Sequence, residues 1–188
     1  PIPDMTPRLY IDFPLVGSEK FPFPVALGSR GFLPNEPRSG ITLVDNQSSV
    51  DAAANKGLMK KVVDMFRDLL AAAVREKNAG IKNMINIPAF KPDPEISAAW
   101  VNENIYRRLF SFIENEPIFG TKEGYLPLSD ERLYVMDCRP DERRTMVELV
   151  SSVKGCIVPD DDVDWYGILK KYDIAKDRVI TLERLAKN

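Results

Sequence analysis

The sequence contains no histidine. That absence removes Ser-His-Asp and Cys-His nucleophilic catalysis, and with them every zinc site that needs an imidazole. It also removes the side chain most often used to move protons near neutral pH. Chemistry in this chain would have to rest on carboxylates, lysine or a hard metal ion. Cysteine is nearly as scarce: Cys138 and Cys156 are the only two, too few for a disulfide framework. Both sit in apolar, strand-like contexts where a free cysteine behaves as a small hydrophobe. A reducing, cytoplasmic (intracellular) setting is therefore expected. No run approaches the roughly 20 apolar residues that cross a bilayer, and no basic-then-apolar leader opens the sequence, so no membrane partner is expected. Pro1 is compatible with a processed start or with a fragment. Basic residues are not in surplus either: 26 Lys and Arg face 28 Asp and Glu, a net charge of −2. That balance argues against a general electrostatic grip on nucleic acid.

What is present is ordinary globular composition, 44% hydrophobic and 29% charged over 188 residues, enough to bury a core. The pattern reads as one compact unit, 1–188, of α+β class. Its parts are a Pro/Phe-rich irregular arm over 1–40, a mainly helical middle over 41–125 built on two long packed helices, and a small α/β portion over 126–188.

The longest helical pattern runs from Ser48 to Gly80. Ser48 and Asp51 have the spacing of a capping box, and Asn78-Ala79-Gly80 supplies a stop. Met59, Val62, Phe66, Leu69 and Ala73 advance by threes and fours onto one face. Their apolar neighbours widen that face beyond a narrow coiled-coil seam, as a core helix requires. Gly57 costs about 1 kcal/mol relative to Ala inside a helix, so a start or bend is expected there. The second helix begins at Asp93 as N-cap with Pro94 at its first position and ends before Pro117. Ala98, Val101, Ile105, Leu109 and Phe112 line it, widened by Tyr106, Phe110 and Ile113. Between the two helices, Met84, Ile85 and Ile87 suggest a short strand.

In the arm, eight of the 15 prolines fall within residues 1–37, which forbids helix and disfavours central strand. Arg8 to Phe13 alternates as an edge strand would, and Ile41 to Val44 is a second candidate. Phe13, Phe21, Phe23 and Phe32 either dock on a partner or fill grooves of their own domain. Farther on, Ile118 to Leu126 reads as a hairpin with a five-residue loop from Gly120 to Gly124. From Arg132 the pattern becomes strand, helix, strand, helix, strand, with strands at Leu133–Met136, Cys156–Val158 and Val179–Thr181. A terminal turn of helix follows. This β-α-β-α-β order predicts parallel pairing.

Parallel strands would bring their C-terminal ends to one edge, where ligands bind in open α/β sheets. Asp137 closes the first strand, and Asp160, Asp161 and Asp162 follow the second. Converging carboxylates of this kind would suit Mg²⁺ and support metal-dependent phosphoryl transfer or hydrolysis. The same acids are also good helix caps: Asp161 or Asp162 for the helix at Val163, and Asp137 for the one after Pro140. A second alternative is phosphate or nucleic-acid binding by Arg107, Arg108, Arg139, Arg143 and Arg144, of which the Arg107-Arg108 and Arg143-Arg144 pairs lie on helices that carry acids as well. The reading the sequence favours is non-catalytic, with no cofactor. It is an intracellular protein-protein interaction or assembly protein, such as a viral or phage component, that joins a protein partner or a second copy of itself through the arm and a helix face.

Overall fold

A computed structural model describes residues 2–3, 5–36, 38–45, 48–78, 80–88, 90–138, 141–152, 156–160, 162–172 and 179–180. The class is α+β, with helices joined by small two-stranded sheets. Contacts gather the chain into two compact units, Pro1–Leu109 and Phe110–Asn188. The division falls inside a helix, ahead of residue 126 where the sequence pattern changes.

The first unit is built on one helix. α1 spans Val50–Arg75, 26 residues and so about 39 Å long. Its N-cap is Ser49 rather than Ser48: the Ser49 hydroxyl accepts from the Ala52 N–H at 3.2 Å. Gly57 neither starts nor breaks the helix, and a Cβ there would meet nothing within 4 Å. The buried face carries Ala52, Asn55, Met59, Val63, Phe66, Leu70 and Ala73. Leu69, expected on this face, is 53% exposed, and Leu70 takes its place inside.

The arm wraps that face. β1, Leu9–Tyr10, pairs in parallel with β2, Leu27–Gly28. The Ser18 hydroxyl accepts from the N–H groups of Arg8 (3.1 Å) and Leu9 (3.0 Å) and donates to the Leu15 carbonyl at 2.7 Å. Gly17 sits at φ +120°, and a Cβ there would come within 2.8 Å of Ser39 Cβ, so this corner accepts only glycine. Phe21, Phe23 and Phe32 are buried, and Phe23 meets Phe66 of α1 edge-on at 5.2 Å between ring centroids. Buried Asn55 ties two arm segments to the helix. Its Oδ1 accepts from the Leu33 N–H (2.9 Å), and its Nδ2 donates to the carbonyls of Leu33 (2.8 Å) and Thr42 (3.3 Å).

After α1, the expected strand near Met84 is instead a single helical turn, α2, Ile81–Met84. Asp93 does not cap a helix: its carboxylate accepts from the Glu95 N–H at 2.8 Å, a local turn. Leu43 then pairs with Ile96. The helix begins at α3, Ala98–Val101, capped by Ser97, whose hydroxyl accepts from the Trp100 N–H at 3.1 Å. It passes through a π-turn at Asn102–Tyr106 and continues as α4, Arg107–Asn115. The extra residue in the wide turn lets Ile105 and Tyr106 both be buried. Asp45 closes this region, accepting from Lys56 Nζ at 2.7 Å and from the Ser97 hydroxyl. These two bonds, the lysine's first, hold its carboxyl below the usual range.

The second unit opens with the end of α4 and a hairpin of β3, Phe119–Thr121, and β4, Gly124–Leu126. The expected five-residue loop shortens to Lys122-Glu123, because Thr121 pairs with Gly124 and Gly124 takes φ +113°. Next come β5, Val135–Met136, α5, Arg143–Ser152, α6, Asp162–Leu169, and β6, Val179–Ile180. β5 and β6 are parallel, and Leu133 bridges Ile157 in parallel, so the three expected strand segments are joined with the expected sense. Met136, Met146 and Val150 pack together, Phe119 stacks on Trp165 at 4.1 Å, and Phe110 meets Tyr172 at 6.3 Å. Leu149 on α5 is 51% exposed. The expected terminal helical turn after Thr181 lies outside the described residues.

Asn55→Leu should destabilise the first unit by on the order of 2 kcal/mol, since it strands one N–H and two carbonyls that are partly buried. Urea unfolding measures this, and a loss below about 1 kcal/mol would contradict the clamp.

Candidate functional site

A wide cleft belongs to the second unit. The Lys122-Glu123 turn, the first turns of α5, the Cys156–Asp160 segment and the start of α6 surround a cleft of about 1000 Å³. Among the described residues, three cations stand on it, Lys122, Arg143 and Arg144, and four acids, Glu123, Glu148, Asp160 and Asp164. Val147, Ile157 and Val158 supply apolar wall. Arg144 Nε donates to Glu148 at 3.3 Å, and Glu123 accepts from Arg132 at 3.2 Å. The Asp160 N–H donates to the Gly120 carbonyl at 2.9 Å, fixing this segment to the hairpin. A polyanion entering here would meet more carboxylates than cations. The rim therefore matches a ligand carrying both signs better than a phosphate chain.

The residues singled out from sequence divide between several places. Arg143, Arg144 and Asp160 meet on the cleft; Asp137 is not among its walls. Asp137 instead accepts a hydrogen bond from the Tyr166 hydroxyl on α6. Asp162 begins α6, while Asp161 and Arg139 lie outside the described residues. Among the described residues, no three His, Cys, Asp or Glu side chains gather as a metal ion requires. In the first unit, Arg107 pairs with Glu103 at 3.0 Å and Arg108 pairs with Asp64. Of the four arm phenylalanines, Phe21, Phe23 and Phe32 are enclosed by their own unit, and only Phe13, 44% exposed, faces outward.

Sequence reasoning missed a second surface. On α1, Met65 is 71% exposed and Leu69 53% exposed, one turn apart and thus adjacent. Leu58, Val62 and Ala72, each half-buried, extend the same row. Lys61 and Asp68 flank it, both exposed, and neither makes an ion pair among the described residues. The signal was there in the pattern: α1 has more apolar positions than one face can hold. Among the described residues no helix is long and apolar enough to cross a membrane.

The Tyr166 phenol is pushed up to about 12, first by burial and then by its bond to the Asp137 carboxylate and that charge. An ordinary tyrosine ionises near 10. The folded state thus holds this proton more tightly. Its contribution to stability is complete below about pH 10 and is lost as pH rises through about 12. In an ultraviolet difference titration against Tyr166→Phe, the missing transition should centre near 12, and Asp137→Asn should move it down. A midpoint that ignores Asp137→Asn would mean the pair is not formed. No family model matches the chain, no curated protein matches it, and no solved structure matches it.

Proposed function

We propose that the chain is a non-catalytic interaction module that assembles with protein through the outer face of α1. One observation carries the reading: Met65 and Leu69 stand out to solvent on the helix whose other face holds the first unit together. Side chains of that size cost free energy when left in water, and a contiguous apolar row with polar flanks is how docking surfaces are built. The helix is also rigidly held, through Phe66 and Asn55, so little ordering would be required on binding. Candidate chemistry elsewhere is already engaged: Asp137 with Tyr166, Arg107 with Glu103, Arg108 with Asp64. The arm contributes by bracing α1 from inside, and the role first considered for Phe21, Phe23 and Phe32 passes to the helix.

Replacing Met65 and Leu69 together by serine should leave unfolding free energy within about 0.5 kcal/mol of wild type. The same change should abolish trapping of a protein neighbour by a photoreactive residue at position 62. A wild-type chain that gives no adduct from that position contradicts the reading.

A further inference from the structure

We infer that the occupant of the α1 outer face is a second copy of the same helix, antiparallel, on a two-fold axis through Met65. The inference rests on the interaction reading above and adds the partner and its geometry. It follows from what flanks the row. At 3.6 residues per turn, Lys61 and Asp68 fall on one side of Met65, and Val62 and Leu69 fall on the other. Leu58 and Ala72 lie close to the Met65 line, two turns to either side.

A two-fold axis perpendicular to the helix at Met65 reverses height along the helix and sets each flank against the same flank of the other copy, so residues pair at nearly equal distance on either side of Met65. Met65 then meets Met65 of the other copy, Val62 meets Leu69, and Leu58 meets Ala72. On the remaining flank Lys61 meets Asp68, and the symmetry makes that pair twice. Every apolar residue of the row gains an apolar neighbour. The two charges on this row that have no ion-pair partner among the described residues gain opposite ones. A face that is complementary to itself in this way is what an isologous dimer requires.

Parallel pairing does the opposite. It turns the charged flank of one copy onto the apolar flank of the other, so Lys61 and Asp68 would face Val62 and Leu69 and gain no opposite charge. Asp64 does not disturb the antiparallel register, because Arg108 of its own chain holds it. Asp51 and Glu76, both exposed, stand beyond the ends of the row and bound it. The contact covers about four turns of helix, small against the roughly 1,200–2,000 Å² of stable interfaces. Dissociation is therefore expected in the micromolar range rather than the nanomolar.

Sedimentation equilibrium on the full chain tests the pairing by charge exchange. Lys61→Asp and Asp68→Lys should each weaken the dimer about tenfold, since each sets two like-charged pairs across the axis. The double variant, Lys61→Asp with Asp68→Lys, should recover wild-type association to within about twofold. A dimer indifferent to the single exchanges, or a double variant as weak as the singles, overturns the antiparallel register. A wild-type chain that stays monomeric to about 0.5 mM overturns self-pairing. If photoreactive position 62 then still yields adducts with other proteins, the docking surface survives with a different occupant; if it yields none, both readings fall.

Discussion

The first unit depends on the fixing of an irregular, proline-rich arm to a single long helix by Asn55. An arm with eight prolines in its first 37 residues cannot satisfy its own main chain by regular pairing. The ladder it forms among the described residues is two residues long. The Asn55 side chain gives it an acceptor and a donor at fixed height on α1, binding Leu33 on both main-chain groups and Thr42 on its carbonyl. With those points set, Phe23 reaches Phe66 and Leu43 reaches Ile96. A buried amide with all these partners specifies one register, which an apolar residue of the same size would not.

That arrangement consumes one face of α1 and leaves the other. Long helices in small units commonly bury a single stripe, yet here the apolar residues run further round. The outer row is then either a cost in solubility or a surface for assembly. Its flanking charges are what favour the proposed assembly. Lys61 and Asp68 are of opposite sign, equidistant from Met65 to within one residue, and without ion-pair partners among the described residues.

Much of the fold was legible in sequence, and what was not has identifiable physical reasons. Helix existence and strand sense could be read locally, because periodicity and the strand-helix alternation act over short range. Which arc of α1 is buried could not. Leu69 and Leu70 are equally apolar, and only the arm, distant in sequence, chooses Leu70. Ser48 and Ser49 are chemically identical caps, separated by backbone geometry alone. Asp93 carries every mark of an N-cap, but its carboxylate closes a turn on Glu95 and the cap passes to Ser97. Four residues at Ile81–Met84 are too few to show a helical period. In the second unit the acids at strand ends were visible, but Tyr166 as the partner of Asp137 was not, since nothing local links α6 to β5. Arg143, Arg144 and Asp160 were singled out for different chemistries and share one cleft. Lys122 and Cys156 complete that cleft from distant segments.

The inner face of α1 is closed by the arm, and its outer face is proposed to close on another copy. The most direct measurement is disulfide trapping between two single-cysteine exchanges on the outer row, Val62→Cys and Leu69→Cys, with the parent chain as control. Mixing the two proteins under mild oxidation should give the 62–69 heterodimer in preference to either homodimer. Predominant 62–62 and 69–69 products would contradict the antiparallel register, and an absence of crosslinks above the control would show that this face meets no second copy.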